Sequence, residues 1–243
     1  MTTQIASPKT FIETFDQGPC GWIGWEGAVG PTPVEIRDGV AVSRSPWWVD
    51  FNHAPPGAGY LHILFALHLH HGPGFHPAII QAGGPNAFVK GGYSTNLTNA
   101  KITVRIKGEM NLRGAQMVLL VQGNIPTPER PLNWTNQVLF TQPVPITPEW
   151  SDQTIQLVPD QKQWVNLGSH QSRADRYGKA DISDLLKDVN GDIIFVLFPL
   201  DVAPLKPFQG NPDHARAGDD YEIDRSRLPE GQVMLDEVRI EFP

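Results

Sequence analysis

The chain has 243 residues, of which 40% are hydrophobic and 19% are charged, and its formal net charge is −7. This composition is typical of a folded chain with a sizeable core and excludes a disordered one. The 19 Lys and Arg residues form no basic run, which argues against a nucleic-acid partner because phosphate binding needs a basic stripe.

Alternation of apolar and polar residues with a period of two predicts most of the secondary structure. The predicted strands are YLHILFALHLH (60–70), KITVRIKGE (101–109), AQMVLLVQG (115–123), NQVLFTQPV (136–144), DQTIQLVP (152–159), DIIFVLFPL (192–200) and QVMLDEVRIEF (232–242). Segment 192–200 is apolar on both faces and is predicted to be a central strand. In the last segment, clean alternation puts Asp236 and Val238 on the more apolar face, opposite Val233 and Leu235.

The only clear helix signal is DISDLLKDVNG (181–191), which Asp181 or Ser183 could cap and Gly191 could end. Many short strands, 23 glycines and 23 prolines predict an all-β antiparallel sandwich, a jelly roll, with one short helix. No repeat or linker divides the chain, so residues 1–243 are predicted to form one domain. Segment 203–232 is about 30 residues long, and it is either a solvated loop or a lid.

The histidines of YLHILFALHLHHGPGFHP are the most conspicuous polar feature of the sequence. Strict alternation puts His62, His68 and His70 on one face of the strand, opposite a core face. His68 and His70 would lie about 6–7 Å apart and could bind a transition metal, with His76 as a third ligand. They could also act as acid and base with a partner such as Asp50, Glu109 or Asp201, contact a substrate, or have no special role.

Tryptophans suggest a second interpretation of the same surface. Trp47 and Trp48 are adjacent in SPWWVDFNH, so one of them should point away from the core. Trp134 lies in a predicted loop, whereas Trp25 and the remaining tryptophans are interpreted as packing residues. A groove that combined Trp47 or Trp48 with Arg105, Gln122 and His68 would suit a sugar.

The two ends of the chain resemble a known family. FIETFDQGPCGWIGW near the start and VMLDEVRIEF near the end, with TNAKITVRIKGE, AQMVLLVQG and ITPEWSDQTIQLVPD between them, are similar to jelly-roll carbohydrate-binding modules of the galactose-binding-like superfamily. This resemblance implies a sugar on the concave sheet face. It also implies a structural Ca²⁺ between the first and last strands, for which Glu13, Asp16 and Asp236 are the candidate ligands.

The leading hypothesis is therefore a protein that binds a carbohydrate or a similar polyhydroxylated molecule. Its expected ligand-binding residues are Trp47, Trp48, His62, His68, His70, Arg105, Gln122 and Trp134. The alternative is a glycan-active or metal-dependent hydrolase or lyase that uses His68 and His70, with segment 203–232 as its lid. A third possibility is an assembly protein whose long loop contacts other subunits.

The remaining expectations concern compartment and oxidation state. Residues 1–15 have no basic segment followed by an apolar core, and no apolar run approaches the roughly 20 residues of a membrane helix. We therefore expect a cytoplasmic protein without a membrane partner. Cys20 is the single cysteine, so no intramolecular disulfide forms.

Overall fold

A computed structural model describes residues 10–26, 30–50, 60–70, 81–168, 177–210 and 215–243. The strands in chain order are β1 (Thr10–Glu13), β2 (Trp22–Glu26), β3 (Gly30–Pro33), β4 (Glu35–Arg37), β5 (Val40–Arg44), β6 (Tyr60–His68), β7 (Lys101–Asn111), β8 (Gln116–Asn124), β9 (Trp134–Leu139), β10 (Ser151–Gln156), β11 (Trp164–Asn166), β12 (Asp192–Leu200) and β13 (Glu230–Glu241). The helices are α1 (Ala87–Lys90) and α2 (Ile182–Leu185), and short 3₁₀ turns cover Gln161–Gln163 and Arg225–Arg227.

Two antiparallel sheets face each other. The six-stranded sheet has the order β10–β7–β13–β5–β4, with β1 also paired to β13. The seven-stranded sheet has the order β11–β9–β8–β12–β6–β2–β3. The predicted all-β antiparallel sandwich is thereby confirmed, and β12 is a central strand as its apolar sequence indicated.

Hydrophobic residues cover both faces of the seven-stranded sheet. The inner cluster fills the space between the sheets and includes Phe65, Leu119 and Phe195 from one sheet and Ile102 and Val233 from the other. An outer cluster lies on the opposite face of the seven-stranded sheet and is formed by Ile23, Leu61, Ile63, Ala66, Val118, Leu120, Val138, Leu167, Ile194 and Val196. Burial on two faces explains why β6, β8 and β12 are apolar almost throughout.

An irregularity in the pairing of β6 with β12 changes which side chains of β6 face the core. The ladder skips Leu64, so that Phe65 and Ile63 pair with consecutive residues of β12. Ile63 joins the outer cluster, whereas Phe65 joins the inner cluster. The predicted strict alternation over 60–70 is therefore wrong at this point, and His62 and His68 lie on opposite faces of the sheet.

Strand β13 contains a second irregularity of the same kind. Its pairing with β7 skips Asp236, between Leu235 and Glu237. As a result Val233, Leu235 and Val238 are all fully buried, although regular alternation would put Val238 on the face opposite the other two. The predicted clean alternation of this strand is wrong because a bulge re-aims the chain by one residue.

The predicted helix at 181–191 is present but shorter. Asp181 caps α2 by accepting a hydrogen bond from the Ser183 backbone N–H at 2.8 Å, as predicted. The helix has a single turn and ends with Leu186 as its C-cap. Gly191 therefore does not end the helix. It packs against β8, where a Cβ at this position would overlap the backbone of Gln122.

Parts of segment 203–232 are packed against the sandwich. Tyr221, Ile223 and Leu228 are buried in the inner cluster. The hydroxyl of Tyr60, at the start of β6, donates a hydrogen bond to the Ala215 carbonyl at 3.2 Å. These contacts anchor the second half of the segment beside β6, whereas residues 205–207 are exposed. Across the described ranges, no helix has the length and apolar character that crossing a membrane requires.

Candidate functional site: a tryptophan cavity between the sheet edges

A cavity of about 610 Å³ opens where the edges of the two sheets meet. Strand β2 pairs with β6 only at Trp22 and Ile23, and beyond Ile23 it continues to Glu26 paired with β3 alone. The cavity lies where β2 and β6 separate. Residues of β2, β3 and β6 line one side of it, and residues of β4 and β5 from the other sheet line the opposite side. The lining residues are Gly24, Trp25, Glu26, Thr32, Pro33, Val34, Glu35, Val42, Ser43, Arg44, Ser45, Pro46, Trp47, Trp48, His62, Ile63, Leu64 and Arg225.

Three indole rings line this tryptophan cavity. Trp25 and Trp48 stack with their ring centroids 6.1 Å apart and their planes inclined by 24°. Both are partly exposed, so they present apolar ring surface to the cavity. Trp47 is buried and donates its indole N–H to the Ser43 hydroxyl at 3.1 Å, which fixes the ring. A rigid aromatic surface with few torsional degrees of freedom is suited to stacking against a ligand.

His62 forms a fixed polar group in the cavity wall. It is 3% exposed, its ring stacks on Trp47 at 5.4 Å, and its Nδ1 lies 2.7 Å from the Trp48 carbonyl oxygen. Burial lowers the pKa of His62 from 6.5 to about 4, against the opposing effects of the Trp48 hydrogen bond and of the Asp50 charge. The imidazole is therefore neutral at pH 7.

Neutrality determines the roles of the two ring nitrogens of His62. A carbonyl oxygen only accepts hydrogen bonds, so Nδ1 carries the proton and donates it to Trp48. Nε2 then bears a lone pair and can only accept. Within the described ranges Nε2 makes no hydrogen bond to protein. Because His62 lines the cavity, a ligand hydroxyl could donate a hydrogen bond to this nitrogen.

Of the predicted ligand-binding residues, the structure brings together Trp47, Trp48 and His62. Trp25 also lines the cavity, although its sequence context was interpreted as packing. Its position follows from the alternation in GWIGWEG, where Trp22 is fully buried in the inner cluster and Trp25 packs beside the outer one. Arg225, from segment 203–232, also lines the cavity and was not among the predicted ligand-binding residues.

The predicted groove of Trp47 or Trp48 with Arg105, Gln122 and His68 does not exist. Arg105 lies on the solvent face of the six-stranded sheet, where it contacts Asp152 and Asp236 at 3.2 Å each. Gln122 and His68 lie on the outer face of the other sheet. Alternation along a strand assigns residues to faces, but it does not indicate which sheet carries a strand or which faces adjoin.

A buried polar row crosses the outer face of the seven-stranded sheet. The Gln122 side chain donates to Asn136 Oδ1 at 2.8 Å, and His68 Nδ1 lies 2.8 Å from Asp192 Oδ1. All four side chains are buried. Asp192, not predicted as a partner, begins β12 directly opposite the end of β6. Its contact with His68 and the burial of both groups fit a structural network better than a site open to substrate.

The other candidates for catalysis or ligand binding are dispersed. His70 is exposed and Trp134 begins β9 on the far side of β8, and neither lines the cavity. Asp201 forms an ion pair with Arg227 at 2.6 Å. Asp50 is buried and bridges to Leu61. Of the three histidines predicted as metal ligands, His68 is buried beside Asp192, His70 is exposed, and His76 lies outside the described residues.

The candidate calcium ligands do not converge. Glu13 is buried, accepts a hydrogen bond from the Phe15 backbone N–H at 2.8 Å, and has its pKa raised by burial. Asp16 accepts from the Thr14 hydroxyl, and Asp236 projects to the solvent face beside Arg105. In the part of the chain that the structure describes, no group of three or more His, Cys, Asp or Glu side chains is arranged to hold an ion.

Comparison with known proteins gives no family. No protein-family model matches the chain, and no curated protein matches it. The resemblance to galactose-binding-like modules therefore remains a prediction.

Solved structures that are similar share little sequence with this chain. One is described by the words "Prominent members of the human gut microbiota express endo-acting O-glycanases to initiate mucin breakdown". It is 13% identical to this chain, with a TM-score of 0.40, and the match covers 96% of this chain and 98% of that chain. Another is the L4b domain of human laminin alpha-2, at 10% identity, the same coverage and a TM-score of 0.37. Both scores lie below 0.5, so neither likeness bears on function.

Proposed function

We propose that this chain binds a carbohydrate or a similar polyhydroxylated ligand in the tryptophan cavity. The observation that carries the proposal is the combination, in one cavity, of a stacked pair of indoles with a buried imidazole acceptor. The volume of about 610 Å³ falls within the roughly 300–1,000 Å³ of small-molecule sites.

Sugars present two kinds of surface, and the cavity offers a partner for each. The C–H groups of a pyranose ring form a flat apolar face, which suits the exposed surface of Trp25 or Trp48. Hydroxyl groups at the ring edge need hydrogen-bond partners, because a buried hydroxyl without one costs free energy. Nε2 of His62 can accept one of them, and Thr32, Glu26 and Arg225, which carry further polar groups, also line the cavity.

The test is a glycan array followed by calorimetry on the strongest binder, with wild type and Trp48→Ala. An aromatic residue that anchors a ligand costs about 2 kcal/mol or more when truncated, so we expect the Kd to rise at least roughly tenfold. Incubation of the same glycan with the protein, followed by mass spectrometry, tests for the hydrolase or lyase alternative.

Trp150→Ala provides a matched control. Trp150 is also partly exposed, but it lies beneath Lys107 on the solvent face of the six-stranded sheet, with Lys107 Nζ 4.7 Å from the ring centroid. This variant should bind like wild type. A Kd that is unchanged both in Trp48→Ala and in Trp25→Ala, or an equal loss in Trp48→Ala and Trp150→Ala, would contradict the proposal.

A further inference from the structure

Arg225 stands apart from the other arginines that the structure describes. In this acidic chain, with 26 Asp and Glu residues, most arginines have a carboxylate oxygen within 4 Å; these are Arg37, Arg44, Arg105, Arg113, Arg216, Arg227 and Arg239. Over the described ranges, Arg225 has no carboxylate at that distance. Its Nη1 donates a hydrogen bond to the Trp47 carbonyl at 3.4 Å.

The position of Arg225 is defined by its surroundings. It begins the 3₁₀ turn Arg225–Arg227, which Asp224 caps by accepting from the Ser226 backbone N–H at 3.1 Å. Leu228, directly after the turn, is buried in the inner cluster. The backbone is thus anchored on both sides, and the contact with Trp47 holds the guanidinium at the wall of the tryptophan cavity.

We infer that the ligand of the tryptophan cavity is an acidic saccharide, a sugar bearing a carboxylate, and that Arg225 binds this carboxylate. This inference rests on the proposed function and adds the chemical class of the sugar. A guanidinium offers five N–H donors in a planar fork that matches the two oxygens of a carboxylate. One N–H of Arg225 donates to the Trp47 carbonyl. The other N–H groups can form a bidentate, charge-assisted pair of hydrogen bonds with the sugar carboxylate.

The other charges of the cavity limit where that carboxylate can lie. Arg44 also lines the cavity, but it already has a carboxylate partner in Glu35, at 3.0 Å. Arg225 is a lining arginine without such a partner over the described ranges, so we place the sugar carboxylate at Arg225. Glu26, at the end of β2, lines the cavity without an ion pair in the described structure, and Glu26→Gln should strengthen binding by removing a like charge.

The experiment compares matched pairs of monosaccharides that differ only by the carboxylate. D-Glucuronate is titrated against D-glucose, and D-galacturonate against D-galactose, with ¹⁵N chemical shifts as the readout of binding. We expect at least one uronate to bind roughly tenfold more tightly than its neutral parent, since a hydrogen bond to a charged group contributes about 1.5–3 kcal/mol. Added salt should weaken this preference because the guanidinium is partly in solvent.

Two substitutions in the same turn isolate the role of Arg225. Arg225→Gln should abolish the preference for the uronate, whereas Arg227→Gln should keep it, because Arg227 is engaged with Asp201 and does not line the cavity. Melting temperatures of both variants check that the turn remains folded. Arg225→Lys keeps the charge without the fork and should retain only part of the preference.

The outcomes separate this inference from the proposed function. Equal binding of uronates and their neutral parents, or a preference that survives Arg225→Gln, overturns the inference and leaves saccharide binding in place. No binding of any of the four sugars also overturns it, and the glycan array then decides independently whether the cavity binds larger neutral glycans.

Discussion

Acidification should destabilise this protein through His62. The folded protein holds this imidazole neutral, with a pKa of about 4 compared with 6.5 for an ordinary histidine. At 1.36 kcal/mol for each pKa unit, this difference corresponds to roughly 3 kcal/mol. Because the unfolded chain takes up the proton first, the folded state loses stability as the pH falls from 6.5 towards 4.

Urea unfolding of wild type and His62→Gln, followed by tryptophan fluorescence, measures this loss. Glutamine stays neutral and can still donate to the Trp48 carbonyl, so it removes the titration while keeping the hydrogen bond. Between pH 7 and about pH 4.5, wild type should lose about 2.5 kcal/mol more of its free energy of unfolding than the variant does. Buried carboxylates such as Glu13 titrate in both proteins and cancel in the comparison.

The same data can refute the reasoning. Parallel pH profiles for wild type and His62→Gln would mean that folding does not lower the pKa of His62. The argument that burial keeps this imidazole neutral well below pH 6.5 would then fail.

Two further substitutions test the packing of the seven-stranded sheet around His68 and Gln122, away from the cavity. Asp192→Ala removes the buried partner of His68, 2.8 Å away, and should lower the free energy of unfolding by about 3 kcal/mol, as expected when one member of a buried pair is lost. Gly191→Ala should cost about 1–3 kcal/mol because the added methyl group would overlap the Gln122 backbone. Chemical denaturation measures both.

Each of these substitutions has a control of the same chemistry. Asp236→Ala breaks the exposed contact with Arg105 at 3.2 Å and should cost less than about 1 kcal/mol. Gly24→Ala would bring a methyl group only to 3.8 Å from the Leu64 carbonyl and should leave stability nearly unchanged. A loss in either control equal to that of its partner variant would contradict the packing argument.

Local sequence signals identified the long strands of this fold, whereas the short strands β1–β5 and β11 were not predicted. The period of two in 101–109 and 152–159 marks strands β7 and β10, and the Asp181 cap marks the start of α2. The apolar run 192–200 matches β12 in both its bounds and its central position. These signals arise from burial and backbone hydrogen bonding within a few residues.

The bulges could not be predicted from alternation, and they determine the site. Skipping Leu64 turns His62 towards Trp47 and leaves His68 on the opposite face of the sheet. Skipping Asp236 likewise removes it from the face on which it was predicted. At a bulge, two residues of one strand lie opposite a single residue of the partner strand. The position of a bulge therefore depends on the pairing with that partner, which the alternation within one strand does not show.

The cavity itself depends on contacts between segments distant in sequence. Arg225 reaches the carbonyl of Trp47, 178 positions earlier in the chain. Trp25 meets Trp48 because β2 leaves β6 after Ile23. The tryptophans and histidines were recognisable candidates from the sequence, but only the tertiary structure selects His62 over His68 and adds Arg225.

The most direct test of the account is a crystal structure of the protein with the strongest-binding glycan from the array. The account predicts a sugar ring against Trp25 or Trp48, with one hydroxyl within hydrogen-bond distance of Nε2 of His62. A sugar bound instead on the outer face of the seven-stranded sheet, beside Gln122, would contradict the assignment of the tryptophan cavity as the binding site.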